Sequence, residues 1–138
     1  IDRGRERTMR GAIMYEVTIR KSFSAAHVLP EIGGKCEALH GHNFAVEVTV
    51  AGPELDAQGM LIDFRVLKGW LNDILDGLDH KYLNDLDAFK GLNPSSEQVA
   101  RHIHDRLSGK LAGSGLGLQG VTVWESDNAH VAYRAVAP

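Results

Sequence analysis

The chain has 138 residues, 43% of them apolar and 24% charged, with a formal net charge of −3. That is the size and make-up of one globular domain with a single core, and the charge argues against the basic face of a nucleic-acid binder. No apolar run approaches the ~20 residues of a membrane-spanning helix, no signal-peptide pattern precedes the domain, and the single cysteine, Cys36, cannot close an internal disulfide, which together point to a reducing, cytoplasmic setting.

Residues 1–13 carry Arg3, Arg5, Arg7 and Arg10 and are expected to form a disordered extension, with one domain over 14–138. Residues 14–21 set Tyr15, Val17 and Ile19 against polar neighbours, which predicts a half-buried strand, and 23–28 continue it after a bend. Residues 42–51 alternate most clearly, with Phe44, Val46, Val48 and Val50 on one face. Residues 58–62 read as a short strand or a strand extension. From Asp63, a good helix cap, the period becomes helical through Phe64, Leu67, Leu71, Ile74 and Leu75, and ends near Gly77. Residues 79–93 look irregular and polar. Pro94-Ser95-Ser96-Glu97 opens a second helix with Val99, Ile103 and Leu107 as its buried stripe. A glycine-rich connection from Gly109 to Gly120 leads to strands at 121–126 and 130–136, joined by a turn at Asp127-Asn128.

The order β-β-α-α-β-β predicts an α+β sandwich: a four-stranded antiparallel sheet with two helices on one face. Its two open edges need protection, and side-by-side association of subunits would supply it.

His40 and His42 are two apart on a strand, so both rings point to one face. A hairpin would bring His27, at the end of the first strand, to meet them. Three neutral imidazoles with an open fourth position describe a catalytic zinc site, although copper, nickel and iron also accept this donor set. His102 and His104 are also two apart, but on a helix, where that spacing is about 200° around the axis, so they read as packing or surface residues. His130 begins a strand and has no evident role.

Cys36, four residues before His40, is open to two readings: a fourth ligand that closes the site, or a base whose thiolate the cation stabilises. Asp79-His80 could be a carboxylate–imidazole relay, which needs a loop conformation, or two solvated surface residues. Glu125 lies on the face of Val121 and Val123, where a carboxylate is costly unless paired. It is either half of an internal salt bridge or a receptor for adjacent N–H donors on a ligand. The spacing Gly115-x-Gly117-x-x-Gly120 matches a dinucleotide fingerprint by letter only, because it follows a helix and precedes a strand.

The motifs F-S-A-A-H (23–27), C-E-A-L-H-G-H-N (36–43), L-D-H-K-Y-L-N-D (78–85), P-S-S-E (94–97) and W-E-S (124–126) together resemble the 6-pyruvoyl-tetrahydropterin synthase family. The three residues between Cys36 and His40 resemble its bacterial branch, 6-carboxy-5,6,7,8-tetrahydropterin synthase. The resemblance implies a tunnelling fold (T-fold) that oligomerises into a barrel, and a homohexamer of two stacked trimers with active sites at subunit interfaces. It implies zinc on His27, His40 and His42, Cys36 as general base beside a relay of Asp79 and His80, and Glu125 as anchor for the pterin, helped by Ser95, Ser96 and Glu97. The implied reaction is a carbon–carbon lyase step that converts 7,8-dihydroneopterin triphosphate to 6-carboxytetrahydropterin, acetaldehyde and triphosphate on the route to queuosine. Competing expectations are the sister activity yielding 6-pyruvoyltetrahydropterin, a non-catalytic pterin- or metal-binding protein, and a structural zinc module closed by Cys36.

Overall fold

A computed structural model describes residues 14–30 and 38–134. Its elements run β1 (Tyr15–His27), β2 (His40–Gly52), α1 (Phe64–Asp76), β3 (Lys81–Tyr82), α2 (Ser96–Leu111), β4 (Gly117–Ser126) and β5 (Ala129–Arg134), with two short 3-10 turns, Leu83–Asp85 and Asp87–Phe89, between β3 and α2. The strands form one sheet in the order β3-β1-β2-β4-β5. The four expected strands pair antiparallel. The fifth, β3, lies in the stretch that sequence reads as irregular and pairs parallel with Ala25 and Ala26 at the β1 edge.

Both helices pack on one face of the sheet. From β2, Phe44, Val46, Val48 and Val50 are fully buried there, with Val121 and Val123 of β4 beside them. The helices answer with Leu67 and Leu71 of α1 and Val99, Ile103 and Leu107 of α2, all fully buried. Burial of each such side chain contributes roughly 1.5–3 kcal/mol. The caps are those the residue types dictate. The Asp63 carboxylate accepts the Arg65 N–H at 2.8 Å, and the Ser95 hydroxyl accepts the Gln98 N–H at 3.2 Å.

Three boundaries differ from expectation. β1 runs unbroken for 13 residues instead of bending after Lys21. Residues 58–62 are not a strand. The Asp56 carboxylate accepts the N–H groups of Gln58 and Met60 at 2.9 and 3.0 Å, and Gly59 takes φ 79°, so a side-chain-stapled turn replaces any ladder. The glycine-rich connection is shorter than its letters suggest. Leu111 extends the buried stripe of α2 by another turn, and Leu118 already packs in the core from β4. The turn between them uses left-handed backbone at Gly113 and Gly115.

Candidate metal centre

The β1–β2 register sets His27 directly across from His40, and Ala25 across from His42. The three rings therefore share the helix-covered face at one end of the sheet, stacked above the Phe23–Phe44 pair. Ring centroids are 4.5 Å apart for His27–His40, 4.8 Å for His40–His42 and 5.2 Å for His27–His42.

Two hydrogen bonds fix which nitrogen each ring offers. His27 is fully buried, and its Nδ1 donates to the Pro94 carbonyl at 2.7 Å. His40 Nδ1 donates to the Ala38 carbonyl, also at 2.7 Å. A carbonyl can only accept, so each ring carries its proton on Nδ1 and leaves Nε2 as a lone-pair donor. Burial is the main cause that pushes the His42 pKa below its ordinary value; the neighbouring His27 and His40 add to this, while Glu125 opposes it. The neutral form that burial favours is the form that ligates.

One ligand nitrogen from each histidine lies within 4.8 Å of the other two. Around one tetrahedral ion at ~2.0–2.1 Å the nitrogens would sit about 3.4 Å apart, so a small inward movement of the rings would bring all three to ligating distance and leave a fourth position open. The Nε2 atoms of His27 and His42 are buried without a hydrogen-bond partner. Buried acceptors left unpaired are costly, and a cation at this point would pair both.

Glu125 closes the site from β4. Its Oε1 lies 3.7 Å from Nε2 of both His27 and His42 and accepts the Ser96 hydroxyl at 3.1 Å. Alternation with Val121 and Val123 puts it on this face, and the β4–β5 ladder shifts register beside it. Trp124 pairs with His130 and Ser126 with Ala129, so Glu125 is the extra residue of a bulge. A recess of about 250 Å³ opens beside it, lined by Leu29, Ser95, Ser96, Glu97, Glu125 and His130 among others. The three helix-start residues singled out by sequence thus line one recess with Glu125, and Ser96 bonds to it directly.

Asp79 and His80 are brought together but lie elsewhere. His80 takes φ 58°, left-handed backbone that costs a non-glycine residue about 1–2 kcal/mol. This turns Nδ1 back to within 3.0 Å of Asp79 Oδ2. Asp79 Oδ1 accepts the Ser24 N–H at 2.9 Å, and the His80 N–H donates to the Ser24 carbonyl at 2.6 Å. The Ser24 N–H, helped by His80, holds the Asp79 carboxyl below the usual carboxylate range. The His80 ring is exposed and lines a shallow recess along the ends of β1 and β2, where Ala25 and His42 border it and Ser24, Ala26, Gly41 and Asn43 turn their side-chain positions toward it. Those positions alternate out of phase with the three histidines, so the pair opens on the opposite face of the sheet from the metal ligands of its own chain.

Cys36 lies outside the described residues. Two contributors escape the sequence reading. The Pro94 carbonyl orients His27, and the Asn84 side chain brackets Val28, accepting its N–H at 2.9 Å and donating to its carbonyl at 3.0 Å. Both contacts span more than fifty residues, and nothing in local spacing signals them.

A model of the family described as 6-pyruvoyl tetrahydropterin synthase matches residues 16–136. The chain is 41% identical over 118 residues to a Synechocystis sp. protein named 6-carboxy-5,6,7,8-tetrahydropterin synthase, covering 81% of this chain and 87% of the relative. It is 38% identical over 102 residues to a Bacillus subtilis protein of the same name, covering 70% and 68%. The structure of Caenorhabditis elegans 6-pyruvoyl tetrahydropterin synthase superimposes with a TM-score of 0.78 at 29% identity, covering 90% of this chain and 97% of that one.

Proposed function

The chain belongs to the 6-pyruvoyl tetrahydropterin synthase family, and on that premise we propose that it is a 6-carboxy-5,6,7,8-tetrahydropterin synthase. In this reading 7,8-dihydroneopterin triphosphate and water give 6-carboxytetrahydropterin, acetaldehyde and triphosphate, a step toward queuosine in the cytoplasm. The observation that carries it is the convergence of three imidazoles beside a carboxylate-floored recess.

The metal is zinc in this proposal, held by His27, His40 and His42. When bound, it supplies Lewis acidity toward the hydroxyls of the substrate side chain. The remaining work belongs to protein groups. Glu125, oriented by the Ser96 hydroxyl, accepts the paired N–H donors of the amino-pyrimidine edge, with Ser95 and Glu97 at the rim of the recess. Fixing the flat ring there delivers the side chain to the histidine cluster. Cys36, four residues before His40 in sequence, is the base assigned to move protons at the side-chain carbons.

The relay of Asp79 and His80 faces away from the metal ligands of its own chain. It reaches a substrate when a second copy presents its histidine face across a subunit boundary. This supports an oligomer, a homohexamer of two trimers in the tunnelling-fold arrangement, with each site shared between copies.

Incubation of the protein with 7,8-dihydroneopterin triphosphate, with and without a chelator, followed by mass spectrometry, tests the reading. Acetaldehyde and 6-carboxytetrahydropterin, lost on chelation, are expected. A second reading, the sister activity, draws on the C. elegans likeness; 6-pyruvoyltetrahydropterin without acetaldehyde would establish it instead.

A further inference from the structure

A large cavity among the described residues lies away from the metal centre. It has a volume of about 580 Å³ and lies between α1, the two 3-10 turns and α2. None of its lining residues belongs to the histidine cluster, the Glu125 recess or the Asp79–His80 pair. Its size falls within the range of small-molecule sites, roughly 300–1,000 Å³.

The lining is organised. Ile74, Leu78 and Leu86 supply apolar wall. From α2, His102, Arg106 and Lys110 also reach it, and their i, i+4, i+8 spacing makes one stripe along the helix. From the other side come Asp73 of α1 and Asp87 of the second 3-10 turn. Lys110 and Asp73 lie 3.8 Å apart and partly satisfy one another. Arg106 and Asp87 are both exposed and have no counter-ion within 4.0 Å among the described residues. One cation and one anion, each held only by solvent, therefore border the same cavity.

His102 adds a third feature. Its ring packs 5.5 Å from Phe89. Burial, and then the nearby Arg106, push its pKa below the ordinary value, with Asp105 opposing. Near neutral pH it offers a flat, uncharged imidazole rather than a third positive charge. Cations spaced i, i+4 on a helix repel by a few tenths of a kcal/mol, an arrangement a ligand anion would relieve.

The geometry points to a second small-molecule site, outside the catalytic centre, for an aminated nucleoside monophosphate: a ligand with an anionic group for Arg106 and Lys110, an amine donor for Asp87, and a flat ring for the His102 and Leu86 walls. A phosphate alone would use half of the lining, and an uncharged nucleoside the other half.

Calorimetric titration of the full chain with adenosine 5′-monophosphate, ribose 5-phosphate and adenosine tests this. Saturable binding of the monophosphate is expected, at least about tenfold tighter than either fragment, which is about 1.4 kcal/mol. Arg106→Gln and Asp87→Asn should each weaken it about tenfold or more, while Glu125→Gln leaves it unchanged. The His102 ring signals in NMR spectra should shift on addition of the monophosphate to the unmodified protein, a readout that does not depend on any variant folding. No saturable binding, equal binding by Arg106→Gln, or loss of binding in Glu125→Gln alone would each overturn the proposal, the last by placing the nucleotide in the pterin recess.

Discussion

His27 faces His40 directly across the β1–β2 ladder, and each ring gives its Nδ1 proton to a different backbone carbonyl, Pro94 for one and Ala38 for the other. Both Nε2 atoms are thereby left as donors toward the position that His42 also borders. The loops around the sheet end, not the strands alone, set the tautomers.

Replacing His40 by Ala should therefore strip the metal. Loss of a residue that merely orients a ligand costs about 10–100-fold in affinity or activity, so loss of the ligand itself should exceed that. Elemental analysis would show metal content near zero. In the unmodified protein, metal added to the apo form at about a hundred times its dissociation constant should stabilise by about 2.7 kcal/mol. Thermal unfolding of His40→Ala should show none of this gain.

Cys36→Ala should abolish turnover and leave the metal in place. Elemental analysis alongside the product assay separates the two roles open to the thiol. Empty sites in this variant would make Cys36 a ligand rather than a base.

Glu125→Gln keeps the shape of the side chain but removes its charge. A hydrogen bond to a charged group contributes about 1.5–3 kcal/mol, which corresponds to a rise in KM of roughly 10–150-fold. Metal content should be unchanged. Steady-state kinetics with the pterin substrate would read the effect.

Asp79→Asn retains an oxygen that accepts the Ser24 N–H, so thermal stability should change little. The carboxylate that faces His80 is lost, and kcat should fall by about 10²–10⁴-fold, the usual range for acid–base groups. Because the Ser24 N–H lowers the Asp79 pKa, this group stays ionised to below the ordinary carboxylate range. An acid limb in the activity profile near pH 6 would therefore belong to another residue.

His102 has its folded pKa depressed, mainly by burial. Above pH 6.5 the imidazole is neutral in both folded and unfolded chains and contributes no pH dependence. As pH falls below 6.5 the unfolded chain takes up the proton first, so stability is lost down to the folded pKa. Thermal midpoints of His102→Gln should decline less steeply than those of the unmodified protein across that window.

Much of the fold follows from local pattern. The period-2 run Phe44, Val46, Val48, Val50 fixes the buried face of β2, and the stripes ending in Leu75 and Leu107 fix both helices, because each pattern admits one amphipathic element. The His-x-His spacing on β2 likewise puts His40 and His42 on one face whatever the rest of the chain does. Other parts are not local. The short β3 strand exists because the β1 edge at Ala25 and Ala26 accepts it, not because Lys81-Tyr82 favours extended structure. Asp56 overrode the strand reading of 58–62 by offering its carboxylate to two backbone N–H groups.

Sequence by itself determined the amphipathic elements and singled out the three histidines that the fold gathers, since residue type and spacings along the strands and helices carry both. The tertiary structure alone decided which of these groups meet. It turned His80 through a left-handed backbone onto Asp79 and away from the face of the three histidines, and it brought Glu125 of β4 to within 3.7 Å of His27 and His42. Those outcomes depend on strand register and on contacts between residues dozens of positions apart, which no local periodicity encodes.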